Sequence, residues 1–233
     1  MRSTSEGKAS PLPDHRVEVA ARRREKMRAR LLDATLAVFI RETKTAPDIG
    51  DVVTCAKVSR GTFYLHFQTL GDALQALVQQ QSDEMTRACL PFYDMLQEPC
   101  QRFAVGCRLC FMRASQDPQW ASFMTRAVPL DNKQLLVGYM HEDLKQGKRV
   151  GQFNYMNEHV ALDIELSTLI AGIGALGKGV SDPESYIDEC IRIALTGLGC
   201  EASRCEQSLR FSRKHLDGWT WVRTGTPGPR FEH

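Results

Sequence analysis

Nowhere in this 233-residue chain do eighteen apolar residues run without a charge, whereas a helix crossing a bilayer needs about 20. No membrane span is expected. No stretch alternates apolar and polar residues between turn residues in the manner of strands, so the whole chain is expected to be α-helical. Paired carboxylates or an activated nucleophile in a supporting context are also missing, which argues against an enzyme and leaves no catalytic residue to name. Strong charge imbalance is absent as well: 30 Lys and Arg stand against 28 Asp and Glu, for a net charge of +2. The opening MRSTSEGKASPLPDHR has polar residues, Pro and Gly where an export signal needs an apolar centre. Residues 1–20 are therefore expected to be a disordered tail, and the protein cytoplasmic. Eight cysteines are present, but in a long chain without that signal they are expected to be reduced thiols.

What is present is unevenly distributed. Residues 1–68 hold thirteen Lys or Arg against eight Asp or Glu, a surplus of five, and the remainder is slightly acidic. The sharpest run is Arg22, Arg23, Arg24, Lys26, Arg28 and Arg30, which suits either a phosphate backbone or a solvated helix face. It leads into Leu31, Leu32, Leu36, Val38 and Phe39 at helical spacing. The length fits a small head joined to a larger body. The expected division is a head over residues 21–68, a helical body over 69–200 and an extension of unassigned role over 201–233.

The segment DIGDVVTCAKVSRGTFYLHF reads as two short helices joined by a turn at Ala56, Lys57 and Val58. That is the helix-turn-helix, which lays its second helix in a major groove. Pro47 and Asp48 suit the start of the first helix, and Ser59 can cap the second. Because each helical step turns about 100°, Phe63 and Phe67 must share the inward face. Gly61 and Leu65 then face outward, flanked by Arg60 and Tyr64 on one side and Thr62 and His66 on the other. Arg60 is the candidate base reader, since its fork matches both major-groove acceptors of guanine. Gly61 allows close approach, and Leu65 can meet only thymine methyls or sugars. Tyr64, Thr62 and His66 suit phosphates.

Ile49, Val52, Val53, Ala56, Val58, Ser59, Gly61, Thr62, Phe63, Tyr64, His66 and Phe67 together resemble the tetracycline-repressor (TetR) family, whose pattern is a helix followed by A-x-V-S-x-G-T-x-Y-x-H-F. The resemblance covers about a quarter of the chain. Three positions depart from it: Leu70 replaces a common lysine, Leu74 stands one residue late, and Asp48 replaces a frequent threonine. The junction after the motif is therefore expected to be remodelled, and the acid at Asp48 to weaken phosphate contacts. The resemblance implies a homodimeric repressor on a two-fold symmetric operator, released when a small molecule binds the body. Pocket-wall candidates under it are Phe103, Cys107, Phe111, Trp120, Met124, Tyr139 and Met140, suited to an apolar or aromatic effector, with Asp163 orienting a polar group.

Other body features have plainer readings. Residues 160–176 are apolar on nearly every side and, with the Ile187 to Leu198 stripe, are what a helix-bundle dimer seam needs. Gly172-Ile173-Gly174-Ala175-Leu176-Gly177 matches the dinucleotide fingerprint by letter, but it follows a helical pattern instead of a strand. Close helix approach at that seam, or a loosened helix end, explains it better. Cys107 and Cys110, with Cys100 and His141 elsewhere, could suggest metal or redox chemistry, but the pair falls on an apolar face with Phe103 and Phe111. No cofactor or metal is assigned. Two rival functions remain: a regulator that senses thiol oxidation, and a helical enzyme or ligand-sequestering protein with an incidental basic head.

Overall fold

The computed structural model describes residues 15–41, 47–93, 96–127 and 135–220. Expectations for the first fourteen residues, for 42–46 and for the TPGPR segment lie outside these. Every regular element among the described residues is a helix: α1 His15–Phe39, α2 Ile49–Ala56, α3 Arg60–Tyr64, α4 Leu70–Tyr93, α5 Pro99–Gln116, α6 Pro118–Ala127, α7 Leu135–Arg149, α8 Glu158–Lys178, α9 Pro183–Gly197 and α10 Ala202–His215. The all-helical expectation holds. The chain forms two compact units, Met1–Ala73 and Leu74–His233.

In the first unit α1 packs on α2, and α2 on α3. The core is Leu31, Leu32, Ala34, Val38, Val52, Val53, Ala56, Phe63 and Phe67, all buried. α1 starts at His15, inside the stretch expected to be tail. Glu18, Ala20, Ala21, Arg22, Arg23 and Arg24 have straight or small side chains that lose little freedom in a helix, so helix runs on without a buried face to demand it.

In the second unit α5 is central and packs against α6, α7, α8, α9 and α10. Its Phe103, Ala104, Val105, Leu109, Cys110, Phe111 and Ala114 are buried, and so are three arginines. Buried guanidinium is tolerable only when paired and hydrogen-bonded, and each of these is. Arg102 donates to Asp143 at 2.7 Å, to Gln146 at 3.0 Å and to the Leu96 carbonyl at 3.3 Å. Arg108 donates to Ser212 at 2.9 Å and pairs with Glu184 and Asp188. Arg113 donates to Gln81 at 2.7 Å, and its guanidinium lies 4.5 Å from the centre of the Trp120 ring.

Three body expectations are changed or sharpened. The glycines of α8 do allow close approach, but within the chain: a Cβ on Gly172 would meet the Phe111 ring at 2.5 Å, one on Gly174 the Thr125 methyl at 3.1 Å, and one on Gly177 would strike Ala121. Their partners are α5 and α6, not a second copy, because the glycines lie on the side of α8 that faces the body's own core. Residues 202–215, unassigned from sequence, form a helix whose Cys205, Ser208, Leu209 and Ser212 are buried. Finally, α8 is long and apolar enough to cross a membrane by length and composition, with a mean hydropathy of 1.6. It nevertheless carries Asp163 and Glu165 and packs on α5, α6, α7 and α9. Carboxylates within a span are costly, and about a third of the helix's apolar stretch is buried within the body.

Candidate nucleic-acid interface

Caps set the helix-turn-helix. Asp48 precedes α2 with an extended backbone; its carboxylate accepts from the Asp51 amide at 2.9 Å, and Asp51 in turn accepts from the Asp48 amide at 3.0 Å. This reciprocal box satisfies free first-turn amides, so the acid at position 48 has a local structural role. α2 ends at Lys57, whose φ of 52° is left-handed, and the Val58 amide reaches back to the Val53 carbonyl at 3.0 Å. That closure turns the chain tightly into α3. Ser59 caps α3, its Oγ accepting from the Thr62 amide at 3.1 Å and lying 3.0 Å from the Thr62 hydroxyl.

α3 is shorter than the sequence suggests, ending at Tyr64 where a helix through Phe67 is expected. Its faces sort as helical geometry requires. Phe63 is fully buried and Phe67 nearly so, their ring centres 5.8 Å apart. Tyr64 is 55% and Leu65 74% exposed, which makes them a large apolar surface left open on a small unit. Arg60 and Gly61 are exposed, and Thr62 and His66 half-buried. A Cβ on Gly61 would meet only the Ser59 hydroxyl, at 3.6 Å, so bare backbone faces outward there. Arg22, Arg23, Arg24, Lys26 and Arg30 are exposed along α1, and Arg28 lies over the Phe67 ring at 5.4 Å. Burial, then the charges of Arg24 and Arg28, hold the His66 imidazole below its ordinary value of 6.5, so it is neutral at pH 7.

Gly50 was not singled out from sequence. A Cβ there would come within 2.9 Å of the Asp48 carboxylate and 3.3 Å of the Arg60 guanidinium, so its bare backbone makes room for Arg60 beside the start of α2. The only advance signal is a glycine in the first turn of a short helix, where it costs about 0.5–1 kcal/mol. At the expected remodelled junction, Thr69 and Asp72 form another reciprocal box, with Thr69 Oγ1 accepting from the Asp72 amide at 3.0 Å and Asp72 accepting from the Thr69 amide at 3.0 Å. α4 therefore starts at Leu70.

In the body, Phe103, Cys107, Phe111, Trp120, Met124 and Met140 are buried, and Tyr139 is half-buried. Among the described residues Trp120 Nε1 and Thr86 Oγ1 are buried without a hydrogen-bond partner. Asp163 is exposed, whereas Glu165 is buried with Oε2 unpartnered. Burial pushes the Cys110 thiol up to about 12, so it is an inert core thiol. The Cys107 and Cys110 spacing thus marks a buried face. A cavity of about 330 Å³ lies elsewhere, bordered by Glu98, Cys100, Gln101, Glu201, Ser203, Arg204, Gln207 and Ser208.

No family model and no curated protein matches the sequence. Solved structures do match the fold. RolR in complex with resorcinol superposes with a TM-score of 0.63 at 22% identity, over 81% of this chain and 95% of that one. The fatty acid degradation regulator FadR from Bacillus halodurans gives 0.60 at 17% identity, over 73% and 98%. CprB from S. coelicolor A3(2), described as a TetR family protein, gives 0.57 at 17% identity, over 82% and 97%. The chain has the TetR-family fold.

Proposed function

We propose that this protein is a cytoplasmic transcriptional repressor whose α3 reads a two-fold symmetric operator and whose body binds a small effector that releases it. The observation carrying this reading is the α3 surface: Arg60, Gly61, Tyr64 and Leu65 stand exposed on a capped helix whose other face is anchored by Phe63 and Phe67. An exposed arginine beside a bare glycine suits a major groove, and the cations of α1 suit phosphates. Asp48, Ser59 and Thr62 shape the motif through their caps.

A homodimer supplies the two heads. Val160 and Ile164 on α8 and Ile193 on α9 are each more than half exposed, an apolar surface that a second copy would cover. Sedimentation of Ile164→Glu against wild type checks this, and an unchanged mass refutes that seam. The effector is apolar or aromatic with a hydrogen-bond acceptor, since Trp120 Nε1 is a buried donor without a partner and the apolar candidates Phe103, Cys107, Phe111, Met124, Tyr139 and Met140 are buried or half-buried. RolR binds resorcinol, a small aromatic of this class. Asp163, exposed, is a weaker member of that set.

Gel shift against the promoter of the protein's own gene, at two salt concentrations, tests the reading. Arg60→Ala is expected to cost about 1–3 kcal/mol of specific affinity while nonspecific binding changes little. A specific complex unaffected by Arg60→Ala and Tyr64→Ala would overturn it.

A further inference from the structure

We propose that Cys100 and Cys200 form a reversible intramolecular disulfide in response to hydroperoxides. The two residues stand 100 positions apart in sequence, yet their sulfurs lie 3.2 Å from each other within hydrogen-bond distance. A disulfide holds its sulfurs about 2.0 Å apart, so roughly 1 Å of travel closes the bond. Both thiols are free. Their placement is anchored on each side. The Cys100 amide donates to Gln152 Oε1 at 3.1 Å. Gly199, with a left-handed φ of 75°, leads into Cys200, and the Asn154 amide donates to the Leu198 carbonyl at 2.7 Å just before it.

Two helix N-termini converge on the pair. Cys100 is the second residue of α5, and Cys200 directly precedes Glu201, the N-cap of α10. The positive ends of both helices favour a thiolate there. We take Cys200 as the nucleophile: the hydrogen bond it shares with Cys100, and then the Arg204 charge, hold its thiol below the ordinary value of 9.0, against the opposing effects of burial and of Glu201. Cys100 is pushed upward by the same hydrogen bond and by burial, which keeps it protonated as the resolving thiol. A cavity of about 330 Å³, bordered by Cys100, Arg204 and Ser208 but not by Cys200 itself, reaches the Cys100 side of the pair. Ser208 Oγ is buried there without a partner, and Arg204 is held by Glu98 at 3.0 Å.

The chemistry balances as a two-electron oxidation. The Cys200 thiolate attacks the terminal oxygen of a hydroperoxide, the O–O bond breaks, and the departing alkoxide takes a proton to leave as an alcohol, or as water from hydrogen peroxide. The Cys100 sulfur then attacks the Cys200 sulfur of the sulfenic acid. The S–O bond breaks, and the hydroxide leaves as water with the Cys100 proton.

The test treats reduced full-length protein with one equivalent of hydrogen peroxide, quenches by alkylation and maps peptides by mass spectrometry. The expected result is a linked Cys100–Cys200 peptide, lighter by two hydrogens and reversed by dithiothreitol. It should appear ahead of modification at Cys55 or Cys190, which are more exposed. Cys100→Ser should stop at a sulfenic acid on Cys200 that dimedone captures, and Cys200→Ser should leave Cys100 alkylated. If either variant fails to fold, the wild-type peptide map decides alone. Oxidation of Cys55 or Cys190 while Cys100 and Cys200 remain free thiols overturns the proposal, and so does a linkage between chains. The readout is independent of DNA binding.

Discussion

The edge of the Phe111 ring occupies the space that a side chain on Gly172 would fill, 2.5 Å from the position of its Cβ. In an exposed helix, Gly→Ala is worth about 1 kcal/mol in favour of alanine. At Gly172 the sign reverses, because Phe111 is itself buried and cannot withdraw without disturbing α5. Gly172→Ala is expected to destabilise the body by ~1–3 kcal/mol, lowering its melting temperature by about 2–4 °C per kcal/mol. Gly138→Ala, with open space around the same point, is the control and should not lower it. Differential scanning calorimetry on the two variants decides, and equal melting temperatures would remove the packing argument.

That glycine shows where sequence reading stops. Small residues in α8 announce that something approaches closely, but not what, and the expected second copy gives way to the chain's own α5 and α6. The faces of α3 were legible, because Phe63 and Phe67 are four residues apart and one rotation angle decides which side they share. The all-helical class was legible for the same local reason. The Cys100–Cys200 pair was not: its members are separated by four whole helices, whereas the attention-drawing Cys107 and Cys110 are close only along one turn. α10 is legible only as weakly helical, because its polar surface and short stripe of Cys205, Leu209 and Ser212 resemble a fraying end until α5 and α9 are seen to cover it. Arg60 was legible as an outward residue, but its support by Gly50 depends on how α2 and α3 meet.

Arg108 is paired unequally, and the inequality is testable. Its guanidinium is almost wholly buried; Asp188, its closer partner, is 17% exposed, and Glu184 is 66% exposed. Removing Asp188 leaves a buried cation with one solvated partner, a situation that costs about 3–5 kcal/mol. Removing Glu184 takes away a largely screened contact worth about 0–1 kcal/mol. Chemical denaturation should therefore rank Asp188→Ala far below Glu184→Ala. Because Arg213 Nε also reaches Asp188, at 3.0 Å, Arg213→Ala should fall between them. Equal losses for Asp188→Ala and Glu184→Ala would contradict this account.

Glu165 gives the body a pH dependence of unusual sign. Burial pushes its carboxyl from 4.5 up to about 7, and Oε2 has no partner to offset the charge. Between those pH values the folded state keeps a proton that the unfolded chain has released, so rising pH favours unfolding. The contribution is fully present below pH 4.5, is lost progressively up to about 7, and amounts to a few kcal/mol. Glu165→Gln keeps the neutral shape and should flatten this stretch of the stability profile, making the variant the more stable protein at pH 8. Parallel profiles for variant and wild type would show that the carboxyl ionises without penalty.

His66 links acidity to the proposed operator contact. Burial and the neighbouring Arg24 and Arg28 keep its imidazole neutral at pH 7, so it approaches DNA uncharged. A phosphate nearby would stabilise the cation and raise that pKa. Binding would then take up a proton, and by linkage affinity must rise as the pH falls through the range between the free and bound values. Fluorescence anisotropy on an operator fragment at constant salt should show tighter binding at pH 6 than at pH 8. His66→Gln, which keeps a hydrogen-bond donor and cannot titrate, should lose most of that difference while binding as wild type does at pH 8. A variant that retains the full pH dependence would place the proton elsewhere and leave His66 outside the phosphate contact.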